Sequence, residues 1–432
     1  MSSALDTDLQ GLLIAAAHHA AGRDELATCE IFARSLPRNR AYLVAAGVDA
    51  ATDAIAGLGF DAEDLAALRA LPHLRSVAAS FFEWLTSYRF RGSILAVAEG
   101  TPVFAGEPIL QITASLIEVS LFETIALATL TLATTAATKA ARLAAAARGR
   151  DVVEFASRRA PGAEAPLAIA RAAHLGGASH TSNVEASRRF GIPLAGAVSH
   201  AWVLAHDDEA RAFARLLDAV PDADLIPLDT YDVERAARTL CALGRPIRGV
   251  RIDSGDLDAG ARRGRAILDE HGHRGATITV SGELDEHRIE ELVCGGAPID
   301  RFGVGKQLAT PADAPALGAV YKLVEIDGPD GVRRPAKRSP GKVSVAGRKQ
   351  VLRWFDERGV ARGDRLVAAG TPPAAGELAL LEPVVERGVR VRVSEPLAVA
   401  RARSAGALAA LPPEVRRLAA PSAYPVAVEI EG

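Results

Sequence analysis

The chain of 432 residues is 49% hydrophobic and 24% charged, which excludes a largely disordered polymer and provides for a large core in two or three domains. Its 50 basic and 53 acidic residues give a net charge of −3, so neither nucleic acid nor an anionic membrane surface is an expected partner. The 3 cysteines, Cys29, Cys241 and Cys294, are far apart with no metal-ligand spacing, which argues against zinc or a disulfide framework and suits a reducing cytoplasm.

The opening MSSALDTDLQ is acidic where a secretory signal is basic and then apolar, so export is not expected. TDLQGLLIAAAHHAA predicts the first helix, CEIFARSLP and RAYLVAAGV follow, and helical patterns run through the seventies and eighties. SILAVAEGTPVFAGEPILQITA alternates apolar runs with Gly and Pro turns, as a small β structure does. A long Ala/Thr/Leu helix is expected from Ile117 to Ala147. Its most apolar part, between Glu123 and Lys139, is shorter than the roughly 18–20 residues of a membrane span and contains many threonines, so it reads as a buried helix. Residues 1–150 are therefore expected to form an α+β domain.

From residue 151 short apolar runs end in polar residues and alternate with amphipathic stretches. The runs are VVEFAS (152–157), IPLAGAVSH (192–200), DLIPLDTYD (224–232), RGVRIDSGD (248–256), TITVSGELDE (277–286) and DRFGVGK (300–306). VERAARTLCAL, GARRGRAILDEHG and EHRIEELVCGG are the helical stretches between the later runs. Six such units over 151–326 predict an α/β fold and favour a closed or nearly closed β/α barrel over an open sheet, its polar strand ends forming the active face. After VYKLVEI, residues 327–432 read as a separate region of β-hairpin character, a last helical stretch and YPVAVEI.

The strand ends carry the chemistry. GVRIDSGDL gathers Arg251, Asp253 and Asp256 around the turn residues Ser254 and Gly255, and DTYD adds Asp229 and Asp232. Carboxylates and a guanidinium suit a magnesium-bound, phosphorylated sugar, with Asp253 and Asp256 as the acids meeting the metal. The bland alternative for either run is a helix cap. Gly303, Gly305 and Lys306 of FGVGK, with Ser281 and Gly282 of VSGELDE, suit a shared phosphate site or plain turns. His200 faces the same mouth, with His206, Asp207 and Asp208 either orienting it or starting a helix. Arg158 and Arg159 would make the mouth anion-seeking, and Thr181, Ser182 and Asn183 bind there or cap a helix. His18, His19, His271 and His273 have no supporting constellation and are expected at the surface.

In order along the chain, TDL, EGTPVFAGEPIL, ATKAAR, EFASRRAPG, TSNV, FGIPLAGAVSHAWV, DTYD, GVRIDSGDL, GELDE, IDRFGVG, PALGAVYKLVE and KRSPGK with GRKQVLR resemble the nicotinate phosphoribosyltransferases. The resemblance implies a type II phosphoribosyltransferase fold, in which an irregular α/β barrel joins a domain built from both ends of the chain, and a cytoplasmic homodimer with shared active sites. It implies ATP and Mg2+ as co-substrate and its metal, with nicotinate and phosphoribosyl pyrophosphate giving nicotinate mononucleotide and pyrophosphate. His200 matches the histidine that ATP phosphorylates, Arg251 an arginine at the nicotinate and sugar-phosphate site, and the FGVGK glycines the 5′-phosphate loop.

Three positions depart from the family pattern. Gln10 stands where a tyrosine stacks on the nicotinate ring, Ala197 where a threonine precedes the histidine, and Lys306 where a threonine follows the glycines. Ala128 and Thr131 also replace an Asn-rich part of the long helix. The departures leave two other readings: transfer to a different aromatic acid, or a non-catalytic barrel that holds a phosphorylated ligand. A metal-dependent barrel lyase would need a tighter His and carboxylate cluster than these strand ends provide.

Overall fold

The computed structural model describes residues 4–337, 339 and 344–430. Two compact units emerge, one of Met1–Thr135 with Ala316–Gly432 and the other of Ala136–Pro315. The divisions thus fall earlier than the 150 and 326 expected from composition. The reason is local: the long helix belongs to both units, and the strand Ala319–Gly328 pairs along Leu26–Ala33.

In the first unit an antiparallel sheet runs in the order Gly331–Arg333, Ala319–Gly328, Leu26–Ala33, Pro108–Ser115, Ser93–Ala96, Glu382–Glu386, Val389–Arg390. A second sheet joins Glu377–Ala379, Lys349–Phe355, Ala361–Ala368 and Val426–Val428. Segments from the two ends of the sequence are also joined by a buried ion pair, Lys349 Nζ to Glu30 Oε2 at 2.7 Å, with Gln111 donating to the same carboxylate. Most of the KRSPGK motif lies outside the described residues. His19 is not a free surface residue: its ring stands edge-on to Phe81, 5.6 Å between centroids.

The long helix is interrupted, with Leu116–Val119 forming one turn and Glu123–Ala147 the main helix. Ser115 and Glu118 close a capping box on the short turn. Within the main helix, the Thr129 and Thr131 hydroxyls donate to the carbonyls of Ile125 and Leu127, which hides their polarity. Among the described residues, no helix is long and apolar enough to cross a membrane.

The second unit is a parallel sheet in the order His180–Thr181, Asp151–Glu154, Arg301–Val304, Thr277–Val280, Gly249–Ile252, Ile226–Pro227. The expected strand at 192–200 is not regular, because Pro193 lacks an N–H and Gly196 favours no extended backbone. The segment still closes the gap between the end strands: Thr181 N–H donates to Pro193, Ala195 N–H to Thr181, and Val198 N–H to Leu225. These scattered bonds tie the segment to both edges of the six-stranded sheet. Helices Ala165–Gly176, Glu209–Ala219, Val233–Ala242, Leu257–Glu270 and Glu286–Cys294 flank it. The abundant alanine and glycine permit close approach here, since a Cβ on Gly176 would lie 2.1 Å from the Ala137 carbonyl oxygen. Glu286 is buried between Lys139 Nζ at 2.5 Å and Arg142 Nε at 2.7 Å. Burial disfavours its charge, but these two cations hold its carboxyl below the ordinary range.

Candidate active site

The strand Gly249–Ile252 delivers Arg251 into the interior, and its continuation places Asp253 beside Ser281, which follows the strand Thr277–Val280. Arg251 Nη2 lies 2.7 Å from Asp253 Oδ2, and its Nε donates to Ser281 Oγ at 2.8 Å. Ser281 Oγ in turn donates to Asp253 Oδ1 at 2.5 Å. Burial raises the Asp253 carboxyl, but the Ser281 hydroxyl and the Arg251 charge outweigh it and leave it below the ordinary carboxylate range. Gly282 is required at the next position: its φ is +93°, and a Cβ would meet the Asp253 carbonyl oxygen at 2.1 Å.

Asp229 follows the short strand Ile226–Pro227 and binds this turn from the other side. Its Oδ2 accepts the Asp253 backbone N–H at 2.8 Å and the Ser254 hydroxyl at 2.6 Å. Its Oδ1 is buried with no hydrogen-bond partner among the described residues. That oxygen lies 3.7 Å from His200 Nε2, and Asp253 Oδ2 lies 4.0 Å from the same nitrogen. His200 opens the helix His200–Leu204, and its Nδ1 is 3.1 Å from Thr230 Oγ1. Two carboxylates on the Nε2 side favour the tautomer with its proton there. Nδ1 then carries the lone pair and accepts from the Thr230 hydroxyl.

The arrangement thus brings together His200, Asp229, Asp253, Arg251, Ser254, Ser281 and Gly282. Other expected residues have different work. Asp256 caps the helix Leu257–Glu270 by accepting the Ala259 N–H at 3.1 Å, and Asp232 caps Val233–Ala242. Asn183 caps Val184–Phe190 and also donates to Ser157 Oγ at 3.1 Å. Thr181 is buried with its hydroxyl on Glu154, and the Ser182 N–H donates to the Glu154 carbonyl. Arg158 and Arg159 are exposed in the turn Ser157–Arg159. Ala197 packs on the small cluster of Val153, Phe155, Ala195 and Leu225. His206 does not orient His200, because its Nδ1 bonds the Trp202 carbonyl at 2.7 Å and Asp208 caps the next helix. Gln10 is exposed in the first turn of Leu9–Ala20, in the first unit.

In the FGVGK loop Gly303 is required for packing, since a Cβ would meet the Phe155 ring at 2.4 Å. Lys306 Nζ lies 3.0 Å from Glu283 Oε2, both side chains being exposed. Three contributors escaped sequence reasoning. Thr230 stood inside a motif noted only for its acids, and Glu283 inside one noted for Ser and Gly. Glu154 was hidden in an apolar run. Burial pushes its carboxyl up, opposed by the Thr181 hydroxyl and the Ala156 N–H. A carboxylate inside a buried strand was the available signal, because such a group is rarely retained without a partner.

Residues 5–131 match the nicotinate phosphoribosyltransferase N-terminal domain and residues 377–431 the C-terminal domain of the same family. A nicotinate phosphoribosyltransferase of Mycobacterium tuberculosis is 41% identical over 98% of this chain and 91% of its own length. One from Bacillus subtilis is 39% identical over 82% of this chain and 74% of its own. Human nicotinic acid phosphoribosyltransferase superposes with a TM-score of 0.84 at 26% identity, covering 98% of this chain and 97% of that one. Nicotinate-nucleotide pyrophosphorylase from Pyrococcus furiosus gives 0.75 at 26% identity, covering 94% of each. With the α/β fold of a type II phosphoribosyltransferase and homology along its whole length, this chain belongs to the nicotinate phosphoribosyltransferase family.

Proposed function

We propose that the chain transfers phosphoribose from phosphoribosyl pyrophosphate to nicotinate, forming nicotinate mononucleotide and pyrophosphate in NAD salvage, and couples this to ATP hydrolysis through His200. The observation that carries the reading is the polarised histidine, with carboxylates on its Nε2 side and a hydroxyl at Nδ1. Nδ1 attacks the γ-phosphorus of ATP, the bond to ADP breaks, and water later takes the phosphoryl group as phosphate. The carboxylates stabilise the imidazolium character that develops as Nδ1 gives up its lone pair.

In the transfer itself the nicotinate ring nitrogen bonds C1 of the ribose as the C1–O bond to pyrophosphate breaks. The ribose passes through an oxocarbenium-like state, so holding both partners in line supplies much of the acceleration. Arg251 is fixed by Ser281 and Asp253 and is suited to an anion of either substrate. The loops of Gly282, Gly303, Gly305 and Lys306 are assigned to the 5′-phosphate. Asp253 has both oxygens engaged, Asp256 is a cap, and the described residues contain no cluster of three metal ligands. These groups do not fit a resident metal, so Mg2+ belongs with the polyphosphate substrates.

A homodimer accords with the exposed apolar Leu194, Leu204 and Tyr231 near the strand ends, and the free cysteines accord with a cytoplasmic enzyme. Gln10 favours a second reading, in which the acceptor is a related acid with an extra polar substituent. The test is pyrophosphate release across a panel of pyridine and benzoic acids, with and without ATP. ATP-stimulated release with nicotinate supports the reading, and release confined to another acid replaces nicotinate as acceptor. Intact mass after ATP and Mg2+ should show one added phosphoryl group, absent in His200→Ala. Labelling elsewhere removes His200 from its role.

A further inference from the structure

At the opposite end of the barrel strands lies a cavity of about 590 Å³. Asp151 begins the strand Asp151–Glu154 and Asp300 precedes Arg301–Val304, whereas Asp253 and Ser281 follow the C-terminal ends of their strands. Four extended residues separate the two faces by about 13 Å, so a ligand here is distinct from one at the mouth.

Three arginines line the cavity: Arg150, Arg265 and Arg274. Arg265 is held rigidly, donating to the carbonyls of Ala276 and His273 at 2.7 Å each and pairing with Asp269. Its Nε is nevertheless buried with no partner, and so is Nη1 of Arg150. Arg274 is exposed and has no ion pair among the described residues. The acidic lining is partly committed: Asp300 Oδ2 accepts the Ile278 N–H at 2.7 Å, and Asp151 Oδ2 faces Arg301 Nε at 3.7 Å.

We propose that this cavity is a second ligand site, for a phosphate monoester that also carries free hydroxyls. Arg150, Arg265 and Arg274 take the phosphate, in the forked geometry that guanidinium groups favour. Asp151 and Asp300 accept from the hydroxyls, which distinguishes a sugar phosphate or nucleotide from phosphate alone.

Ribose 5-phosphate and inorganic phosphate are the probes, and hydrogen exchange locates where each binds. Ribose 5-phosphate should protect amides at 149–151 and 297–300. Arg150→Ala and Arg274→Ala should each weaken that protection by about tenfold, the factor expected for one lost charge-assisted contact. Arg274 is exposed, so its variant tests the site without disturbing the core. Protection confined to the loops after the strands, or unchanged by both substitutions, overturns the proposal. Equal affinity for inorganic phosphate overturns the part given to the two carboxylates and hence the monoester. Because the signal is read at the strand starts, its failure is separate from any failure of phosphoribosyl transfer.

Discussion

The unbonded Oδ1 of Asp229 lies 3.7 Å from His200 Nε2, while its other oxygen fixes the turn that carries Asp253. One side chain therefore places the second carboxylate and polarises the ring. Asp229→Asn keeps an oxygen for the Asp253 N–H and the Ser254 hydroxyl but removes the charge. Two unit charges about 4 Å apart interact by about 1 kcal/mol in water and about 4 kcal/mol near a protein surface, so losing this charge beside the developing imidazolium should slow phosphorylation of His200 by roughly ten- to a hundredfold. A time course of intact mass with ATP checks this. Labelling at the wild-type rate would show that the carboxylate charge is not used.

Asp253 has a carboxyl held below its ordinary value in the folded state. The sign follows from linkage: its ionised form stabilises the fold above the unfolded carboxylate value of about 3.9, and that contribution is lost as pH falls through the lower folded value. The stability gap between wild type and Asp253→Asn should hold constant from pH 7 to about pH 5 and shrink below about pH 4. Urea unfolding across that range measures it, and a gap that widens on acidification contradicts the assignment.

Part of this site was legible because buried parallel strands are continuous apolar runs. Gly249–Ile252, Thr277–Val280 and Arg301–Val304 fall inside the expected runs, and their polar ends carry Asp253 and Ser281. The sequence could not separate Asp253 from Asp256. A helix cap and a catalytic acid use the same side chain after the same kind of strand, and only the hydrogen-bond partners tell them apart. The closing segment at 192–198 was misjudged for a related reason: its composition is apolar, but Pro193 and Gly196 allow only scattered ladder bonds. His200 was placed at the mouth by its position in that run, whereas Thr230 depended on contacts that no spacing encodes.

Lys306 stands beside Glu283 at 3.0 Å, and both are exposed. Such a pair contributes about 1 kcal/mol or less, so a phosphate at the loop displaces it at little cost. Lys306→Thr should raise the apparent constant for phosphoribosyl pyrophosphate by roughly tenfold, and Glu283→Gln, which frees the ammonium, should lower it. Initial rates at varied phosphoribosyl pyrophosphate decide the matter. If both variants match wild type, the ammonium serves only its surface partner.

Gln10 is the departure with the clearest consequence for the acceptor. A tyrosine over the nicotinate ring supplies stacking of roughly 0.5–1.5 kcal/mol beyond its buried area, whereas an amide supplies a donor and an acceptor. Gln10 is exposed on its helix, so a larger ring can be introduced there without loss of packing. The neighbouring position is different: a Cβ on Gly11 would meet the Ser120 carbonyl oxygen at 2.7 Å, so the helix cannot take a side chain there without moving. The expected outcome is that the wild-type chain uses nicotinate but also accepts an acid whose extra polar group bonds the amide. Gln10→Tyr should shift preference toward nicotinate by up to about tenfold, the factor that 1.4 kcal/mol represents. Competition assays between nicotinate and hydroxyl- or amino-substituted pyridine carboxylates measure the ratio directly. A wild-type chain that already favours nicotinate, with a ratio unmoved by Gln10→Tyr, would assign the ring to another part of the site. Phe155 is then the next side chain to vary, by Phe155→Leu, because its ring packs against Gly303 beside the phosphate loop.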